Sequence, residues 1–173
     1  VVREFGETPV ALRDLGVSLN KLGALRLAQR DLDAAGRAFE RSLEIRERVV
    51  REFGETPVAL RDLGVSLNKL GALRLAQRDL EAAGRAFERS LEIRERVVRD
   101  FGETPEALRD LGVSLLSAGD VRAKRGELAA AQAACERALA VADRLEQLAP
   151  GGSDARALRH AARAQAEQTQ TRP

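Results

Sequence analysis

The sequence holds no methionine, tryptophan or tyrosine, one histidine, one cysteine and five phenylalanines in 173 residues. Each scarcity closes a class of function. One cysteine, Cys135, rules out an intrachain disulfide and any metal site built from cysteines. It fits a reducing compartment, and a cytoplasmic protein is expected. One histidine, His160, stands among Arg and Ala with no metal-ligating pattern around it and reads as a surface residue. No Ser–His–Asp or Cys–His set can be assembled around it. Aromatic residues make up 3% of the chain and leave little on which to stack bases. No apolar run approaches the ~18 residues of a membrane-spanning helix. Neither GxGxxG nor GxxxxGK[ST] occurs, so no phosphate cradle is visible.

What is abundant is charge of both signs. Charged residues are 32% of the chain, yet the net charge is only +2, with a pI near 9.2. The signs alternate finely, so the basic stripe of a nucleic-acid binder is missing. Carboxylates lie beside arginines, an environment that lowers their pKa and suits them poorly to acid catalysis. We therefore expect no enzyme, no cofactor, no metal, no nucleic acid and no membrane.

The dominant feature is repetition. Residues 1–48 recur as 49–96 with one change, Asp33 becoming Glu81. A third copy starts at Val97 and holds to Leu115, altered only at Asp100 and Glu106, before it diverges. Self-similarity at a fixed period of this size marks an array of supersecondary units stacked on one another. Because the chain begins in mid-repeat, it is expected to be a piece of a longer protein.

Within a unit, Thr8-Pro9 signals a helix start: a hydroxyl N-cap, then proline where its missing N–H costs nothing. The pair recurs as Thr56-Pro57 and Thr104-Pro105. Leu12, Leu15, Leu19 and Leu22 then step as a helical seam, which predicts helix A over about 9–29. Gly16 and Gly23 share a face inside it and imply a neighbouring helix too close for a side chain. Asp31 caps helix B, predicted from Leu32 to about Phe53. Its inner side carries Ala35, Phe39, Ser42, Val49 and Arg46. Its outer side holds the acid-first pairs Asp33–Arg37, Glu44–Arg48 and Glu47–Arg51. Val1–Phe5 match the end of each later helix B, with Gly6 in the helix-ending position. Ser153 or Asp154 starts an Ala-rich helix to about Glu167 that reads as a cap over the open end or as the start of a fourth unit. The expected division is 1–7, the end of a preceding helix; 8–54 and 55–102, two repeats; 103–149, a divergent third; and 150–173, a capping helix and tail.

The later half of each unit resembles the tetratricopeptide repeat. Leu19, Leu22-Gly23, Ala35, Phe39 and Ser42 fall on its spacing, as do Leu67, Leu70-Gly71, Ala83, Phe87 and Ser90, and in the third unit Leu115, Gly119, Gly126, Ala131, Cys135 and Ala138. Leu replaces the usual Trp, Arg26 stands where Tyr is usual, and the closing Pro is Glu47. The unit is also longer than that family's, as in the repeats of kinesin light chains and of some bacterial signalling proteins. The resemblance implies an all-α fold, an α-solenoid of antiparallel two-helix repeats wound as a right-handed superhelix. It also implies a groove lined by the A helices, here Val17, Asn20, Ala24, Leu27 and Ala28, with Val65, Asn68, Ala72, Leu75 and Ala76 in the second unit. On that basis paired Asn20 and Asn68 amides are expected to hydrogen-bond a peptide main chain, flanked by Leu27 and Leu75. The expected function is a non-catalytic scaffold binding a protein or peptide. Two alternatives stand beside it: self-assembly into a homo-oligomer through exposed repeat ends, and a sensor segment of a larger signalling protein.

Overall fold

In the computed structural model, which describes residues 8–171, seven helices follow one another with no strand among the described residues. They are α1 (Pro9–Ala28), α2 (Leu32–Phe53), α3 (Pro57–Ala76), α4 (Leu80–Phe101), α5 (Pro105–Lys124), α6 (Leu128–Leu148) and α7 (Ser153–Gln170). Each helix docks on the next in sequence, so the molecule is an α-solenoid of antiparallel hairpins. The expectations for Val1–Phe5 and Gly6 lie outside the described residues.

Local chemistry sets the bounds. Thr8 Oγ1 accepts the N–H of Ala11 at 3.2 Å, and Asp31 Oδ1 that of Ala34 at 3.0 Å, so each cap satisfies a backbone donor that its helix cannot. Thr56, Asp79 and Thr104 repeat the device. Helices α2 and α4 end at Gly54 (φ 92°) and Gly102 (φ 90°), a backbone that a side chain would strain. The turns from A to B pass through Arg30 (φ 61°) and Arg78 (φ 62°), with Gly126 in the third unit.

The core is a series of thin layers between consecutive helices. Phe39 is fully buried among Ala35, Leu73, Leu27 and Leu70. Phe87 joins Ala83, Leu91, Leu108, Leu115 and Ala118 in the largest layer. Gly16 and Gly23 do mark close approach, but the space is filled by side chains of α2 rather than by its backbone. A Cβ on Gly16 would lie 2.7 Å from the Arg46 guanidinium carbon, and one on Gly23 would lie 2.5 Å from the Phe39 ring.

Two expectations are corrected. Leu15 and Leu22 are not buried: they are 48% and 43% exposed, because in α1 that side faces no helix among the described residues. Their counterparts in α3, Leu63 and Leu70, are buried and half-buried under α2. The outer acids of helix B also divide: Glu44 and Glu52 pair along their own helix, with Arg41 at 2.8 Å and Arg48 at 2.9 Å, while others reach across repeats. Glu40 meets Arg74 and Glu47 meets Arg89, both at 2.6 Å. Stacking brings the next repeat's arginine nearer than the following turn does. Exposed pairs of this kind contribute ~0–1 kcal/mol each.

Candidate functional site

The A helices α1, α3 and α5 leave a row of apolar side chains uncovered. Val10 and Val58 are 68% and 49% exposed, and Val17, Val65 and Val113 are 39%, 37% and 48%. Glu106 takes the Val10 position in the third unit. Between α1 and α3 the surface dips twice. One depression of about 230 Å³ is lined by Val10, Val49, Val58, Ala59, Arg13, Arg46 and Asp62. The other, of about 210 Å³, is lined by Val17, Asn20, Lys21, Ala24, Val65, Lys69, Arg46 and Asp62. The first recurs one unit on, smaller, at about 120 Å³ around Val58, Arg61, Arg94, Glu106 and Asp110.

An ion triad forms the ridge between the two depressions. Asp62 accepts from Arg13 Nε at 2.9 Å and from Arg46 Nη1 at 3.0 Å. Arg46 lies flat over Gly16 and is 3% exposed, with its Nε unpartnered. Burial pushes its pKa down, against the opposing pull of Asp62. The triad recurs in the next unit, where Arg94 and Arg61 meet Asp110 at 3.2 and 3.0 Å. Burial likewise lowers the pKa of Arg94.

A chain of hydrogen bonds runs beneath this ridge. Ser42 donates to the carbonyl of Gly16 at 3.0 Å, so its contact with Ser66 at 3.1 Å is a bond that Ser66 donates. Asn20 Nδ2 in turn donates to Ser66 Oγ at 3.1 Å. Three helices, α1, α2 and α3, are thereby tied together. Ser90 repeats the bond to Gly64 O and the contact with Ser114.

The expected groove residues therefore divide. Val17, Asn20, Ala24 and Val65 share one depression. Asn20 is 9% exposed and its amide N–H is committed to Ser66, so it faces inward. Asn68 is half-buried, and the Oδ1 atoms of Asn20 and Asn68 are both buried without a partner. Ala72 is exposed but lies outside that depression. Leu27 is half-buried against the Phe39 layer and Leu75 against the Phe87 layer, so both belong to the core. Sequence reasoning missed Val10 and Val58, the lysines Lys21 and Lys69, and the Arg–Asp ridge. Arginine at an inner position of helix B, four residues after a buried serine, was the available signal.

The solenoid has a solved counterpart. The chain is similar to the crystal structure of BtubC (BKLC) from P. vanneervenii, with a TM-score of 0.61 over 99% of this chain and 70% of that one. Identity is 16%, so the likeness concerns the fold. No family model matches the chain, and no curated protein does.

Chemistry is sparse elsewhere. His160 is exposed beside Arg156, Arg159 and Arg163. Among the described residues no group of His, Cys, Asp and Glu is arranged to hold a metal ion. Cys135 is fully buried at the position of Phe39 and Phe87, and burial raises its thiol pKa. No helix among the described residues is long and apolar enough to cross a membrane.

Proposed function

We propose that this chain is a non-catalytic interaction module of long tetratricopeptide-like repeats, and that a peptide segment of a partner protein lies along its A-helix face. The exposed valines carry this reading. Val10 and Val58 repeat at one level of that face, and Val17, Val65 and Val113 at another. Scattered exposed apolar residues are ordinary, whereas a row of them beside two depressions supports a binding surface.

The charge beside the row indicates the chemistry of the segment. Lys21 and Lys69 line the second depression, and the Arg13–Asp62–Arg46 triad carries one positive charge more than negative. An extended or helical segment alternating aliphatic and acidic residues fits. Its aliphatic side chains would enter the depressions and its carboxylates would meet the lysines, which favour encounter as well as affinity.

A displayed library of acidic–aliphatic peptides, selected on the chain, tests this. The selected peptides should lose affinity for a Val17→Glu/Val65→Glu variant, and binding should weaken as salt rises. Peptides that bind this variant as well as the parent would overturn the reading.

A further inference from the structure

Helices α1, α3, α5 and α7 begin at Pro9, Pro57, Pro105 and Ser153, forty-eight residues apart throughout. Equivalent positions can therefore be followed from one repeat to the next. The depression around Val10 and Val58 and its recurrence around Val58 and Glu106 are each lined by nine residues, of which eight are identical at equivalent positions. The ninth is Val58 in the first and Glu106 in the second. With that exchange the volume falls from about 230 to about 120 Å³. Glu106 is exposed, and its carboxylate has no ion-pair partner among the described residues. Between α5 and α7 the series stops. There the positions of Arg46 and Asp62 hold Ala142 and Leu158, both buried, and Leu158 fills the space over Gly112 that Arg46 fills over Gly16 and Arg94 over Gly64.

Two rows on the A-helix face change character along the array. One reads Val10, Val58, Glu106, Asp154, and the other reads Lys21, Lys69, Ser117, Gln165. Lys21 and Lys69 are exposed and have no ion-pair partner among the described residues. Asp120, at the position of Ala24, is neutralised by Lys124, and Asp154 meets Arg109 at 3.6 Å. The face is thus cationic beside α1 and α3 and acquires an unpaired carboxylate at α5.

We propose that the depression between α3 and α5 is a subsite for a lysine or arginine of the segment bound by the A-helix face, and that Glu106 fixes which end of the segment lies over which repeat. This rests on the reading of that face given above. The stem of such a side chain would lie along Val58 and Val97 while its cationic head meets Glu106 at the rim. One repeat earlier, valine at the same place leaves the net positive charge of the Arg13–Asp62–Arg46 triad unopposed, so a cation is repelled there and an aliphatic side chain is accepted. The acidic residues of the segment belong with Lys21 and Lys69, and its basic residue belongs one repeat further on. Laid the other way round, the segment would set like charges against each other at both places.

The displayed library, widened to admit lysine and arginine, is selected in parallel on the full chain and on its Glu106→Val variant, in which α5 starts as α1 and α3 do. Peptides from the parent should carry a basic residue at a fixed distance from an aliphatic one, and peptides from the variant should carry an aliphatic residue in its place. In calorimetric titration, a peptide selected on the parent should lose about tenfold in affinity for the Glu106→Lys chain, since reversal turns an attraction into a repulsion. The same peptide with its basic residue changed to glutamate should recover that affinity. A carboxylate in a first turn also steadies its helix, a role that leaves peptide affinity unmoved. Identical selections on the two chains, or indifference of the peptide to Glu106→Lys, would therefore overturn the proposal. If such peptides still fail on Val17→Glu/Val65→Glu, the A-helix face stands and only the direction is lost. If they bind that variant as they bind the parent, or if no peptide is selected, both readings fall.

Discussion

The buried pair Arg46–Asp62 can be tested against a replacement that the molecule already contains. Arg46 is 3% exposed and holds Asp62 at 3.0 Å, while Asp62 also holds the half-exposed Arg13. Removing one member of a buried pair leaves an uncompensated charge and costs ~3–5 kcal/mol. Asp62→Leu should fall in that range, since Arg46 cannot reach solvent whereas Arg13 can. Arg46→Ala should cost about 3 kcal/mol, because Asp62 keeps Arg13 but a void opens over Gly16. The double variant Arg46→Ala/Asp62→Leu recreates the Ala142/Leu158 arrangement, in which leucine covers the glycine. It should lie within ~1 kcal/mol of the parent, giving a coupling energy of at least ~5 kcal/mol. Urea denaturation followed by helical circular dichroism, on all four members of the cycle, measures this. If the double variant loses as much as the two single variants together, the equivalence of the polar and apolar interfaces is wrong.

The remaining expectations are simpler. Phe39→Ala and Phe87→Ala should each cost ~3–5 kcal/mol by chemical denaturation, since both rings are buried between repeats; a loss below ~1 kcal/mol would contradict the layered core. Gly23→Val should lower the thermal midpoint, because its Cβ would meet the Phe39 ring at 2.5 Å; an unmoved melting curve would refute close approach there. Cys135 should resist a thiol reagent until the chain unfolds, as burial both hides it and raises its pKa. With the folded pKa above the unfolded one, the stability from keeping this thiol neutral is complete below about pH 8.5 and is lost as pH rises further. Cys135→Ala should remove that part of the alkaline decline.

The helix bounds were legible because their signals are local. Thr-Pro at 8–9, 56–57 and 104–105 and Asp at 31 and 79 cap the helices on which sequence reading placed them. The site was harder to read because its determinants come from the next repeat. Asn20 sits on the A helix where a groove residue should, yet its amide is taken by Ser66, 46 residues away. Asp62 and Arg46 are likewise brought together by stacking and not by helical spacing. Leu15 and Leu63 make the point most directly. Their flanking sequences are identical, and one is 48% exposed while the other is 5% exposed. Burial there is decided by the neighbour, about which a helix's own sequence is silent.

The near-identity of the first two units also bears on how the chain finds its fold. Helices α2 and α4 differ only at Asp33/Glu81 and Glu52/Asp100, all exposed, so their inner faces are the same and α5 cannot tell them apart by contact. A chain in which α2 docks on α5 and the stretch 57–101 loops out satisfies that junction as fully as the native arrangement does. What disfavours this slip is the core left unmade in the excluded hairpin and the closure of a longer loop, the second rising only slowly with length. The unique Ala/Leu junction of α6 and α7 fixes one end of the register, and the correct order is reached by counting inward from it. By the same reasoning, excising residues 49–96 joins Arg48 to Val97 in phase, yielding a shorter solenoid with every remaining junction intact.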